Sequence, residues 1–133
     1  YQVAFGYRRA FVRTWQPLLS VNLYLGQEDN QRDRDDLSRN LYGFRTSLSS
    51  SPAPKWATSA GVFYQLSDYR DPDPQLGVTR RDSYYGLDLT VGYALLRNLS
   101  LRAEFLLSRN DSNIALFEYD RNLVALKLRY DFN

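Results

Sequence analysis

The sequence contains no cysteine, no histidine and no methionine. Without cysteine there are no disulfides and no thiol chemistry. Without histidine as well, Cys/His zinc centres, Ser-His-Asp triads and Cys-His pairs are excluded by inventory. The missing methionine includes the initiator, so we expect the chain to continue upstream of Tyr1, in a longer translated product. Also missing is any apolar run near the roughly 18–20 residues that a membrane-spanning helix requires. Charge of one sign is scarce too: 17 basic residues, 15 of them Arg, face 15 acidic ones for a net +2. That balance excludes a polybasic nucleic-acid binder.

What the chain does have is aromatic residues, 20 in 133, of which 11 are Tyr. It also has period-2 alternation nearly throughout. Seven strands are expected, at about 1–11, 17–26, 41–50, 55–67, 84–96, 98–109 and 122–132, with residues 1–133 read as the C-terminal portion of a larger β-barrel domain. In the last of them Val124, Leu126, Leu128, Tyr130 and Phe132 share one face, and Ala125, Lys127, Arg129 and Asp131 the other. The same parity extended over all seven segments gives 34 positions with no charge among them. That is the pattern expected of side chains facing hydrocarbon, where Arg or Lys at mid-depth costs roughly 2–4 kcal/mol.

The opposite parity carries Arg8, Arg45, Asp88, Arg102, Glu104, Lys127, Arg129 and Asp131, and six of the seven glycines. These eight charges are the expected lumen lining. The fold expected is all-β, an antiparallel transmembrane β-barrel. Such a barrel has a low mean hydropathy because every second residue is polar. A soluble lipocalin-like barrel would alternate as well, but with its bulky apolar side chains inside.

The connections favour the membrane barrel. They alternate short (13–16, 51–54, 96–98) and long (27–40, 68–83, 110–121), as in outer-membrane barrels with tight periplasmic turns and long external loops. The long connections hold 12 of the 15 acidic residues against seven basic ones. Aromatics cluster at both expected interfaces, where amphipathic rings settle. Seven strands are one short of the smallest closed barrel, and an open edge in lipid leaves backbone groups unpaired. Closure therefore needs additional strands, from upstream sequence or from another chain.

The ending Leu126-Lys127-Leu128-Arg129-Tyr130-Asp131-Phe132 resembles the C-terminal strand by which the barrel assembly machinery recognises its clients, with Tyr130 and Phe132 as the signal and Asn133 as a departure from the pattern. The stretches Arg81–Tyr85 and Arg109–Arg121 resemble the last two hairpins of the surface lipoprotein assembly modifier type, in which a tetratricopeptide domain precedes a barrel. They are also similar to barrels that accompany exopolysaccharide export. What these resemblances imply is a Gram-negative outer-membrane location, contact with the lipid bilayer and the assembly machinery, and passive translocation of a lipoprotein, polysaccharide or small solute.

No catalytic, cofactor-binding or metal-binding residue is expected. Barrel-type outer-membrane proteases and lipid hydrolases resemble one another in needing histidine. The carboxylates Asp88 and Glu104 lie among Arg102, Lys127 and Arg129, which points to an ion-pair ladder. The acidic run Asp33-Arg34-Asp35-Asp36 lacks the Gly-centred spacing of a calcium loop and reads as a solvated connection. Two function classes stay open, a conduit and a structural anchor or complex subunit with a plugged lumen.

Overall fold

The computed structural model describes residues 1–29 and 37–132. The run Asp33–Asp36 and the terminal Asn133 lie outside the described residues. Seven strands form one antiparallel sheet in chain order: β1 (Gln2–Ala10), β2 (Leu18–Glu28), β3 (Arg39–Ser50), β4 (Trp56–Pro72), β5 (Thr79–Leu96), β6 (Leu99–Ser112) and β7 (Tyr119–Tyr130). Each expected strand is present.

The register joins like to like. Val3 sits opposite Leu25, Leu25 opposite Tyr42 and Tyr42 opposite Leu66. Further along, Ala60 faces Leu89, Leu89 faces Phe105 and Phe105 faces Val124. Directly opposed residues lie on the same side of a sheet, so these ladders merge the apolar halves of seven strands into one continuous face.

The upper limit of that face is not level with the strand rows. From β4 onward it steps down by one same-face position per strand, through Leu66, Tyr85, Leu107 and Val124. Averaged over the six strand intervals this is one residue of offset per strand. With a rise of about 3.3 Å and a strand separation of about 4.8 Å, the band lies level if the strands tilt by roughly 35°. That tilt is within the range of membrane barrels. The slant of the apolar residues thus reproduces the stagger that closing a barrel demands.

Hardly any apolar core exists. Leu41 and Ile114 are the only buried hydrophobic side chains among the described residues, while Leu23, Val62, Leu89, Phe105, Leu107 and Val124 are exposed. Every buried strand residue (Leu41, Gly61, Ser67, Asp82, Ser108, Asn110) lies on the other, polar face. The sheet therefore curls around its polar side and presents its apolar side outward. A soluble barrel would have the reverse arrangement.

The long connections are shorter than the sequence suggests. β4 runs on to Pro72 and β5 begins at Thr79, so the expected 68–83 loop is mostly hairpin, with a turn at 73–78. Pro72 ends a strand, paired with Thr79 after a register shift beyond Asp68. Likewise β6 reaches Ser112 and β7 starts at Tyr119, and β3 begins as early as Arg39. At 17 and 18 residues, β4 and β5 exceed the roughly 9–11 that a tilted strand needs to cross a bilayer. Above the membrane both faces of a hairpin meet water, so apolar alternation stops although pairing continues. Ion pairs such as Arg81–Asp68 (2.5 Å) stand where the apolar pairs leave off.

β1 and β7 form the two edges and run in the same direction. Pairing them to each other would make a parallel seam. An all-antiparallel closed barrel therefore requires an odd number of further strands between them.

Candidate functional site

The polar face is the surface on which chemistry or passage could occur. Seven of the eight charges expected there sit on it by strand parity with the buried positions above, and Asp131, just past the end of β7, is paired to one of them, Arg129. On the short-turn half, Glu104 on β6 accepts from Arg102 at 2.8 Å and from Lys127 at 2.7 Å, and Arg129 bonds Asp131 at 2.8 Å. Arg102 and Lys127 are directly opposed across β6 and β7, a like-charge pair that Glu104 bridges.

Midway up, Arg45 on β3 reaches Asp88 on β5 at 2.6 Å, passing over the intervening β4. Gly61 makes that crossing possible. A Cβ there would lie 2.8 and 2.9 Å from the two Asp88 carboxylate oxygens. The Arg45 guanidinium also lies 5.7 Å from the centre of the Phe63 ring on β4. Arg8, on the edge strand β1, has no ionic partner among the described residues. The carboxylates Asp88 and Glu104 are thus held by different cations and do not form a pair of their own.

Because the Arg45 side chain is 49% exposed, its bond to Asp88 is screened by solvent. A double-mutant cycle with Arg45→Ala and Asp88→Ala is expected to give a coupling of no more than about 1 kcal/mol. A coupling of several kcal/mol in folded protein would show that the pair is sealed from water.

At the long-loop end the polar face carries a second set of residues that alternation of apolar side chains did not reveal. Arg39 donates to Glu28 at 2.7 Å and to the Tyr69 hydroxyl at 3.3 Å. Arg80 donates to Asp82 through Nε at 2.8 Å, and its guanidinium lies 4.7 Å from the Tyr69 ring and 3.4 Å from the Phe117 ring. Glu28, Arg39, Tyr69, Arg80 and Asp82 continue the polar parity of their strands past the apolar band, and that parity is the signal by which they could have been found.

The outward face changes character at its two borders. Trp56 packs on Tyr93 (centroids 4.7 Å) and Tyr130 meets Phe132 edge-on (4.7 Å, 77°) at the short-turn end. Phe44, Tyr64 and Tyr85 stack in a row across β3, β4 and β5 toward the other end. Just above that row Tyr85 donates to Asp111 at 2.8 Å, and Arg109 bridges Asp111 (2.5 Å) and Asp120 (3.7 Å). Rings followed by ion pairs mark the passage from hydrocarbon to headgroups.

A curled antiparallel sheet with an uncharged, ring-bordered outer band and a charged inner wall defines the class: part of the wall of a membrane-spanning β-barrel. Residues 57–132, which hold β4 to β7 almost entire, match the family model described as "Putative beta-barrel porin 2", and the chain belongs to this beta-barrel porin family. The match carries the porin-like barrel and does not extend to the lipoprotein-assembly or polysaccharide-export types that the last hairpins resemble. No curated protein and no solved structure gives a significant match.

Proposed function

We propose that the chain forms part of the wall of a passive outer-membrane conduit for hydrophilic solutes, with no covalent chemistry of its own. The observation that carries this reading is the separation of faces. Within the apolar band the six ladders oppose uncharged residues to one another, and the charged residues at that depth share the concave side; the outward-facing charges Arg9, Asp68, Arg81, Arg109, Asp111 and Asp120 stand beyond its borders. On that side, at the depth of the apolar band, five cations (Arg8, Arg45, Arg102, Lys127, Arg129) meet three carboxylates (Asp88, Glu104, Asp131), a local excess of +2. A wall of that sign biases an open pore modestly toward anions.

Surface lipoprotein or polysaccharide as cargo rests on the resemblance of two hairpins, and small hydrophilic solutes on the charged wall and the match to a porin family. The structural reading, an anchor with a filled lumen, draws support from the pairing of most wall charges with one another. Tyr130 and Phe132, in contact at the end of β7, are the residues through which we expect the assembly machinery to engage the chain.

The test is conductance. The whole protein in planar bilayers is expected to give stepwise openings, with Lys127→Glu and Arg129→Glu together moving the reversal potential toward cations. Folded protein that never conducts would refute the conduit and favour the anchor.

A further inference from the structure

The connection between β6 and β7 does not simply cap its hairpin. Its 3₁₀ turn, Ala115–Phe117, folds back over the polar face. Asn113 is the hinge pin of this arrangement: the Arg81 amide donates to its Oδ1 at 2.8 Å, and its Nδ2 donates to the Thr79 carbonyl at 2.8 Å. Asn110, on the polar face and 4% exposed, donates to the Phe117 carbonyl at 2.8 Å. The Phe117 ring then covers the Arg80 guanidinium, which is bound to Asp82. Beneath lie Ser67, Asp82 and Ser108, polar residues only 3–6% exposed.

Among the described residues, the wall at the depth of the apolar band is one strand thick. Here a second layer of chain lies upon it. The contact between cation and ring, with Arg80 largely covered, joins the Asn110 and Asn113 hydrogen bonds in holding the short turn in place. Asp82 adds a charge feature, since its Oδ1 is buried with no hydrogen-bond partner among the described residues. Arg80 is the cation that balances it.

We infer that this turn is a ledge at the long-loop mouth of the conduit that selects small hydrophilic solutes by size and charge. Phe117 fixes how firmly the ledge stands over the polar wall, and the Arg80–Asp82 pair fixes the charge presented beside it. The inference rests on the conduit reading above and adds to it the residues that set the size limit.

The test uses the whole protein, in planar bilayers for ion flow and in liposomes swollen by neutral sugars of increasing length. Phe117→Ala should raise single-channel conductance by about 1.5-fold or more and admit longer sugars, while leaving the preference between anions and cations unchanged. Arg80→Gln, which strands the buried Asp82 carboxylate, should move the reversal potential toward cations. Phe117→Leu keeps an apolar plug and serves if the alanine variant does not fold, with a smaller rise expected. Folded variants that conduct, sieve and select like the parent overturn the ledge and leave the conduit standing. A parent barrel that never conducts overturns both.

Discussion

Leu89→Arg is expected to destabilise the inserted barrel by about 2–4 kcal/mol, a loss of roughly 30- to 900-fold in the ratio of folded to unfolded protein. Leu89 stands in the middle of the β5 run of apolar positions that begins at Tyr85 and ends at Leu95, between Ala60 and Phe105 on the neighbouring strands. That places it near the bilayer midplane, where a guanidinium has no water to retain and a long way to reach the headgroups. Thr90, the next residue, is on the other side of the sheet between Ser59 and Glu104. An arginine there meets water and a carboxylate, so Thr90→Arg should change stability by no more than about 0.5 kcal/mol. Denaturant titration of the protein folded into lipid vesicles, followed by the fluorescence of Trp15 and Trp56, measures both. Equal losses at the two positions would mean that the faces have been assigned wrongly.

The contrast between those neighbours shows why so much of the fold was legible. A membrane wall is written in a strict two-residue code, since one face has to satisfy hydrocarbon and the other water. Within the apolar band the sequence obeys it without a charged exception on seven strands, and Arg9, opposite Leu19, stands just past its short-turn border. Strand number, parity and the position of the short turns followed from that code alone. Pro17 at the entry to β2 and the turn at Arg97–Asn98 carried the rest.

What could not be read lies above the membrane, where the code has no force. Asp68, Arg81 and Asp111 look like loop residues by composition, yet they belong to strands that project beyond the band. Their pairing is held by backbone bonds and cross-strand charges, neither of which leaves a hydropathy signal. The ledge was illegible for a different reason. Phe117 reaches Arg80, 37 positions earlier in the chain, and only the fold-back of the 3₁₀ turn brings ring and guanidinium together. The ion-pair ladder fell between these cases: the parity placed Arg45 and Asp88 on one face, but their contact across an intervening strand depends on the gap left at Gly61.

Gly86→Val is expected to be the most damaging change on the polar face, at about 3 kcal/mol or more, beyond the usual cost of overpacking. Gly86 lies on β5 between Phe63 and Ser108. A Cβ built there would overlap the Leu107 carbonyl oxygen, approach the Ser108 Cα at 3.0 Å and meet the Phe63 Cζ at 2.6 Å. The ring could swing aside, but the other two are backbone of β6, which is fixed by pairing to β7 on its far side. Relief would require β6 to move away from β5 and break the ladder in a medium that offers no substitute donors or acceptors. Gly92, six residues along the same face, is the matched control, with nothing nearer than 3.6 Å to its added Cβ. Gly92→Val should be neutral or slightly stabilising, because a β-branched residue suits a strand and glycine loses more conformational freedom on folding. Folding both variants into vesicles and comparing their heat-modifiable migration and denaturant midpoints decides the matter. A Gly86→Val barrel as stable as the Gly92→Val one would show that β5 and β6 are not packed as closely as the geometry requires.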